Sequence, residues 1–127
     1  MEETEIQSLI KRYIQSYNSF DVNGMVDLLH EDIEFRNISH GEVDTETKGM
    51  EQFRKLAEQS VTIFSQREQT ITRMTVIGDK AEVDINYEGK LAKDLANGLK
   101  AGDSIELKGK TIFHVRDQKI AVIEDYS

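Results

Sequence analysis

The stretch that decides the fold is IELKGKTIFHVRDQKIAVIEDY, residues 105–126, which predicts two strands joined by the polar turn Arg116-Asp117-Gln118. Side chains alternate between the two faces of a strand. One face of the first strand carries Ile105, Leu107, Gly109, Thr111, Phe113 and Val115. The second strand, residues 119–126, is apolar on both faces, which is typical of a strand buried on both sides. We therefore expect a hairpin inside a sheet that covers a core on one face and contacts something else on the other.

Three amphipathic helices are predicted upstream of this hairpin. The first covers residues 6–17, the second begins after Asp21 as its N-cap, and the third covers residues 50–64. Their apolar stripes consist of Ile6, Leu9, Ile10, Tyr13, Ile14 and Tyr17, then Val22, Met25, Val26 and Leu29, then Met50, Phe53, Ala57, Val61 and Phe64.

The remaining segments predict strands and connections. Ile33, Phe35 and Asn37 alternate with charged residues as in a short strand, whereas the polar segment 39–48 predicts a loop. Residues 66–77 and 81–91 predict strands joined by a tight turn at Gly78-Asp79, and residues 93–103 predict a long connection. Helices come early and strands late, which favours an α+β fold with the three helices on one face of a curved antiparallel sheet.

Composition narrows the functional classes. The chain has 127 residues, which suits one domain, and 16 basic against 24 acidic residues give a net charge of −8. Such a charge disfavours nucleic acid and anionic membranes as partners. The sequence contains no cysteine, which excludes disulfides and thiolate nucleophiles. Neither a signal peptide nor a membrane-length apolar run is present, so a cytoplasmic location is expected.

The hairpin resembles the one that closes proteins of the nuclear transport factor 2-like superfamily, especially its SnoaL-like and ketosteroid-isomerase-like branch. The residues that carry the resemblance are Phe113, Val115, Arg116, Lys119, Ile120 and Tyr126, whereas Gln118 stands where a glycine is usual. The predicted order of elements also follows that branch along nearly the whole chain. The resemblance implies one SnoaL-like domain over residues 1–127, shaped as a cone with its helices on the concave face of the sheet and an internal pocket open at one end.

The catalytic residues of ketosteroid isomerases carry over only in part. Tyr13 matches the tyrosine of their first helix, but their general base falls at Asn37 and their protonated acid falls at Gly109. Asparagine cannot accept a proton at neutral pH, and glycine has no side chain. The resemblance therefore implies the fold of these isomerases without their catalytic machinery.

Asp125 is the best remaining candidate for a proton carrier. In the register of the family, Ala121, Ile123 and Asp125 face the cone, where an apolar pocket would raise the pKa of the carboxyl. Alternatively, Asp125 lies in solvent at the strand end, because a strand that is apolar on both faces leaves its own phase undecided. His40 lies in the loop near the expected pocket mouth and is either a proton shuttle or a solvated histidine.

Further polar side chains fall on predicted inward faces. Asn37 shares a face with Ile33 and Phe35, so its amide either holds a ligand carbonyl or caps a buried backbone group. Tyr13, Tyr17 and Tyr87 either orient a polar group of a ligand or pack in the core. Thr111 and Phe113 complete the predicted ligand-binding residues. The histidines and the acidic segment 42–46 lack the spacing of metal ligands, so no metal site is predicted.

Together these features suggest a pocket protein for a small apolar, polyketide-like or steroid-like molecule. As an enzyme it would catalyse acid/base isomerisation, cyclisation or hydration without a cofactor, and it would not be a standard ketosteroid isomerase. The alternative is a non-catalytic ligand-binding or dimeric interaction module of the same fold. Ile112 is apolar on the otherwise charged face of its strand, which predicts a homodimer through the outer face of the sheet.

Overall fold

The computed structural model describes residues 1–127 as three helices and six strands. In chain order they are α1 Glu3–Asn18, α2 Val22–Val26, β1 Leu29–Ser39, β2 Glu42–Lys48, α3 Met50–Ile63, β3 Phe64–Ile77, β4 Lys80–Leu91, β5 Ser104–Arg116 and β6 Lys119–Tyr126. The predicted α+β class is confirmed, as is the N-cap at Asp21, whose side chain accepts a hydrogen bond from the backbone N–H of Gly24.

All six strands form one curved, unclosed sheet in the order β2-β1-β6-β5-β4-β3. Its pairs are antiparallel except β1–β6, which is parallel, so the sheet is mixed. β6 lies inside this sheet between β1 and β5, and its residues Ile120, Ala121 and Ile123 are buried.

The segment 39–48 contains a strand, so the predicted loop was wrong there. β2 pairs with the outer edge of β1, with Glu34 opposite Lys48 and Asn37 opposite Thr45. Val43, Thr45 and Thr47 recur at every second position, and β-branched residues of this kind favour strands. The charged residues between them conceal the pattern, but charges on an exposed edge strand also protect it from pairing with another chain.

The β5–β6 hairpin sets the phase of the last strand. Asp117 and Gln118 form its two-residue turn with φ angles of 53° and 64°, in the left-handed region that tight hairpin turns require. A register shift after His114 places Phe113 opposite Ile123 and Thr111 opposite Asp125. Asp125 consequently lies on the same face as the buried Phe113, which the sequence pattern alone left undecided.

The C-terminal end of α1 is fixed to β3 by side chains from both elements. The amide of Asn18 donates to the backbone carbonyl of Gln69 at 3.0 Å and accepts from its N–H at 2.7 Å. The buried Arg67 donates from Nε to the carbonyl of Tyr17 at 2.9 Å, and its guanidinium lies 3.7 Å from the centre of the Tyr17 ring. A cation at a helix C-terminus stabilises the helix dipole, and the last turn of α1 contains no basic residue of its own.

The hydrophobic core lies between the helices and the concave face of the sheet. Its least exposed large side chains include Ile6, Ile10, Ile33, Phe113, Ile120 and Ile123, each no more than 1% exposed. Burial of this kind is the main source of folding free energy.

None of the helices combines the length and the hydropathy that crossing a membrane would require.

We expect Ile10→Ala to lower the free energy of unfolding by about 2–5 kcal/mol, because it leaves a cavity in a closely packed core. Ile77→Ala is the matched control, since Ile77 is 67% exposed and its truncation should cost no more than about 0.5 kcal/mol. Urea titration followed by circular dichroism measures both. Equal losses in the two variants would contradict this position of the core.

Candidate functional site

A cavity of about 530 Å³ opens between the helices and the concave face of the sheet. Every aromatic residue of the chain except Phe20 lines it. The exposed residues Lys108, Lys110 and Ser127 contribute to its lining, so the cavity reaches solvent at that end. Its size suits a small organic molecule, and its wall is largely apolar.

Asp125 is the carboxylate in this cavity. The Oγ1 hydroxyl of Thr111 on β5 donates a hydrogen bond to its Oδ1 at 2.7 Å. Burial in the apolar wall raises the pKa of Asp125 to about 6, and the bond from Thr111 opposes that rise. A carboxyl whose pKa lies near neutrality can both accept and return a proton under ordinary conditions.

Tyr13 reaches the same cavity from α1. Its side chain is 6% exposed, and its ring meets that of Phe113 edge to face with 5.9 Å between centroids. Burial raises the pKa of the Tyr13 phenol well above its ordinary value, and the charge of Asp125 adds to the rise. The phenol therefore stays protonated and can donate a hydrogen bond to a ligand.

Tyr17 and Tyr87 form a pair of hydroxyl groups in the cavity wall. Their oxygens lie 3.0 Å apart, and one hydroxyl donates to the other. Burial raises the pKa of both phenols, while the neighbouring Arg67 opposes the rise. The hydroxyl that accepts this bond still has its own proton, which it can donate to another group.

Asn37 lines the cavity from β1, as its shared face with Phe35 predicts. Its Nδ2 lies 2.9 and 3.1 Å from the two carboxylate oxygens of Asp44 and 3.4 Å from the hydroxyl of Ser39. The hydrogen bonds that Asn37 and then Ser39 donate to Asp44 hold its pKa below its ordinary value. The amide N–H groups of Asn37 are thus occupied, and its carbonyl oxygen is the atom left for a ligand.

The cavity brings together most residues that the sequence singled out. Its lining includes Tyr13, Tyr17, Asn37, Tyr87, Thr111, Phe113 and Asp125. His40 is absent from the lining: it is exposed in the turn between β1 and β2, at a φ of 53°. The tight turn carries its side chain to solvent, so we leave His40 out of the candidate site.

Sequence reasoning missed the contacts of Asp44 and Arg67. Asp44 reaches Asn37 only because β2 is a strand paired with β1, and that strand was predicted as a loop. Arg67 lies one position after the start of a correctly predicted strand, but nothing in the alternation identifies a buried arginine.

Gly109 stands at the position that the resemblance assigns to the acid of ketosteroid isomerases. A Cβ atom there would lie 2.7 Å from the backbone carbonyl oxygen of Tyr126. Any side chain at this position would displace the end of β6, which carries Asp125. The close packing of the two strands explains the glycine.

No group of three or more His, Asp or Glu side chains is arranged to hold a metal ion.

Comparisons with solved structures find the same fold. A proposed polyketide cyclase of Xanthomonas campestris pv. campestris is 19% identical, with a TM-score of 0.84. The superposition covers 98% of this chain and 90% of the cyclase chain. An LEH-like epoxide hydrolase of M. tuberculosis is 15% identical, with a TM-score of 0.78. The superposition covers 97% of this chain and 82% of the hydrolase chain. A third structure is a protein of Catenulispora acidiphila with a ketosteroid isomerase-like fold, in complex with trimethylamine. It is 17% identical, with a TM-score of 0.76, and the superposition covers 94% of this chain and 84% of the other chain.

No curated protein matches the sequence. The SnoaL-like domain model matches residues 10–123, from the second half of α1 to Ile123 in β6. The match covers most of the cavity wall and ends two residues before Asp125. On this match, the chain belongs to the SnoaL-like domain family.

Proposed function

We propose that the cavity binds a small, largely apolar organic molecule, polyketide-like or steroid-like, and that Asp125 transfers a proton on it. The reaction would be an isomerisation, cyclisation or hydration that needs only side chains of the protein. The observation that carries this proposal is a carboxyl group with a pKa of about 6 inside a cavity lined by aromatic side chains.

Asp125 and Tyr13 have complementary roles in this proposal. At neutral pH the Asp125 carboxylate removes a proton from the substrate or from a water molecule and later returns it. The Tyr13 hydroxyl donates a hydrogen bond to the substrate oxygen that gains negative charge, which stabilises the transition state. Thr111 holds the Asp125 carboxylate in place through the 2.7 Å bond and leaves its second oxygen free to react.

The structural neighbours support this range of chemistry without choosing within it. A proposed polyketide cyclase and an epoxide hydrolase both have this fold, and proton transfer is one of the steps that such reactions need. At these identities the likeness concerns the fold alone, and one fold can host several functions.

The second candidate is a binding module of the same fold without turnover. It is favoured by Asn37, which stands where the resemblance places the general base of ketosteroid isomerases and which cannot accept a proton. A neighbour with trimethylamine bound also fits a ligand-binding role for the fold. In that case Asp125 would contribute to ligand affinity but transfer no proton.

Asp125→Asn should separate these two functions. Mass spectrometry of small molecules that co-purify with the protein identifies candidate ligands, and deuterium exchange into 1-indanone in heavy water provides a general assay of proton abstraction. We expect the substitution to slow exchange by about 10²–10⁴-fold, because a positioned base contributes about that much, while ligand affinity changes little.

Glu124→Gln is the matched control for Asp125→Asn. Glu124 is the preceding residue and faces away from the cavity, where it pairs with Arg36 at 3.4 Å. Its variant should exchange deuterium at the wild-type rate. Exchange that is catalysed equally by wild type and Asp125→Asn would rule out Asp125 as the proton carrier and favour the binding module.

The raised pKa of Asp125 also predicts a specific dependence of stability on pH. The folded state binds the proton of Asp125 more tightly than the unfolded chain does, since the folded pKa is about 6 against an ordinary value of 3.8. This residue therefore lowers stability as the pH rises from about 4 to about 6, by at most about 3 kcal/mol. Below this window both states hold the proton, and the penalty is absent.

Urea unfolding of wild type and Asp125→Asn at a series of pH values tests that dependence. Relative to the variant, which has no proton to lose at this position, the wild type should lose stability between about pH 4 and 6. Parallel curves over the same window would contradict a desolvated Asp125.

We also propose a homodimer through the outer face of the sheet. Ile112 on β5 is only partly buried and lies opposite Glu82 and Glu124 on the neighbouring strands, away from the cavity. An apolar residue at the centre of a charged sheet face fits an interface between copies. A cytoplasmic location and the absence of nucleic-acid and membrane partners stay predictions from composition.

Sedimentation velocity tests the dimer. The wild type should sediment as a dimer at micromolar concentration, and Ile112→Glu should sediment as a monomer, because it places a charge at the centre of the interface. Ile77→Glu, at an exposed position near the end of β3, serves as the control and should remain dimeric. A monomeric wild type would refute the proposal.

A further inference from the structure

We propose that Asp44 is a specificity-determining positioning residue, which turns the Asn37 amide so that its carbonyl oxygen faces the ligand. The ligand then carries a hydroxyl or N–H group at this point of the cavity. The inference rests on the proposed function, because it names the class of molecule that the same cavity accepts. It adds a role for an exposed side chain that does not line the cavity.

The hydrogen bonds at Asn37 fix which way its amide points. Both oxygens of Asp44 lie within 3.1 Å of Nδ2 of Asn37. An ionised carboxylate accepts hydrogen bonds and cannot donate them. The opposite orientation of the amide would bring its carbonyl oxygen against two negatively charged oxygens, which repel it.

Ser39 strengthens the same arrangement. Its hydroxyl donates to Oδ2 of Asp44 at 2.9 Å and lies 3.4 Å from Nδ2 of Asn37. Hydrogen bonds to the carboxylate favour its charged form, so Asp44 remains an acceptor throughout the neutral range. Nδ2 has two hydrogens, and Asp44 and Ser39 provide acceptors for both.

The carbonyl oxygen of Asn37 remains available. It accepts no hydrogen bond from the protein. Thr47 Oγ1 is the single buried side-chain polar atom without a partner, so the carbonyl oxygen of Asn37 is not fully buried. It is therefore accessible, and the side chain that carries it lines the cavity. In that space only a donor can satisfy it.

Asp125 reinforces this preference from the neighbouring strand. Asn37 and Asp125 are register partners in the parallel β1–β6 pair, so their side chains lie side by side on one wall. Two acceptors next to one another repel a ligand carbonyl and attract a hydroxyl or N–H group. A substrate carbonyl is instead accommodated by the donors on the opposite elements, Tyr13 on α1 and the Tyr17–Tyr87 pair.

A purely structural role for Asp44 is the competing explanation. Asp44 lies at the irregularity in the β1–β2 pairing, where the register shifts between Asn37 and Ile38. A side chain that only bridges the two strands there would affect stability, and it would affect all ligands equally. Selectivity between a donor ligand and an acceptor ligand is therefore the property to measure.

The experiment uses a matched pair of probes, 2-naphthol and 2-methoxynaphthalene, with affinities measured by calorimetry at neutral pH. They share an apolar body, but only the naphthol can donate a hydrogen bond. Wild type should bind 2-naphthol about three- to tenfold more tightly, the effect of one hydrogen bond to an otherwise unsatisfied acceptor. Asp44→Asn should lose most of this preference, because a neutral amide partner no longer fixes the orientation of Asn37.

Two controls make the result specific. Glu42→Gln removes another exposed carboxylate of β2 and should keep the wild-type preference. NMR signals of the Asn37 side-chain N–H groups should shift on acidification with the titration of Asp44, below the ordinary pKa of an aspartate, and should not do so in Asp44→Asn. Asp44→Asn should also unfold at nearly the wild-type temperature, since the residue is exposed.

The outcomes distinguish this inference from the proposed function. Equal preference in wild type and Asp44→Asn, or an equal loss of affinity for both probes, overturns the role of Asp44 and leaves Asp125 untouched. A preference lost only in Asp44→Asn supports it even if Asp125→Asn leaves proton exchange unchanged. If neither probe shifts the NMR signals of cavity residues such as Tyr13 and Phe113, the inference falls together with the proposed pocket.

Discussion

The site depends on the position of β6 between β1 and β5. That position places Asp125 next to Asn37 on one side and Thr111 on the other. β1 lies beside β6 only because the chain returns from the far edge of the sheet to form a parallel pair with it. Without that long-range pairing, β6 would be an exposed edge strand, and Asp125 would keep its bond from Thr111 on β5 but lose the part of the wall that β1 provides.

Desolvation is the largest influence on the pKa values of the ionisable groups in the cavity. Burial disfavours the charged form of any acid, so it moves the pKa of Asp125 toward neutrality and the pKa of Tyr13 further from it. The carboxyl thereby becomes able to exchange a proton, while the phenol becomes a permanent donor. Because an ionised Asp125 is disfavoured by folding, the same burial that suits it for proton transfer reduces stability at neutral pH.

Local patterns in the sequence predicted most of the fold and a good part of the cavity wall. Alternation and helical spacing identified the three helices and five strands, including β6 with its observed ends. They placed Asn37, Thr111 and Phe113 on inward faces because strand side chains alternate strictly. β2 was missed because its alternating residues are threonines and a valine among acidic residues, and an edge strand shows no apolar face. The phase of β6 could not be predicted either, since it depends on a register shift opposite His114 that no local pattern encodes.

The missed strand also explains why the chemistry of Asn37 could not be read from the sequence. An asparagine side chain offers both a donor and an acceptor, and only its partner decides which one faces the ligand. That partner, Asp44, belongs to β2, so the polarity of this part of the cavity is determined by the least predictable strand of the sheet. Gly109 shows the reverse case, where a backbone contact with Tyr126 excludes any side chain from a wall position. Within a fixed cone, such local contacts decide which atoms meet the ligand, and they allow members of one family to differ in chemistry while keeping the same strand order.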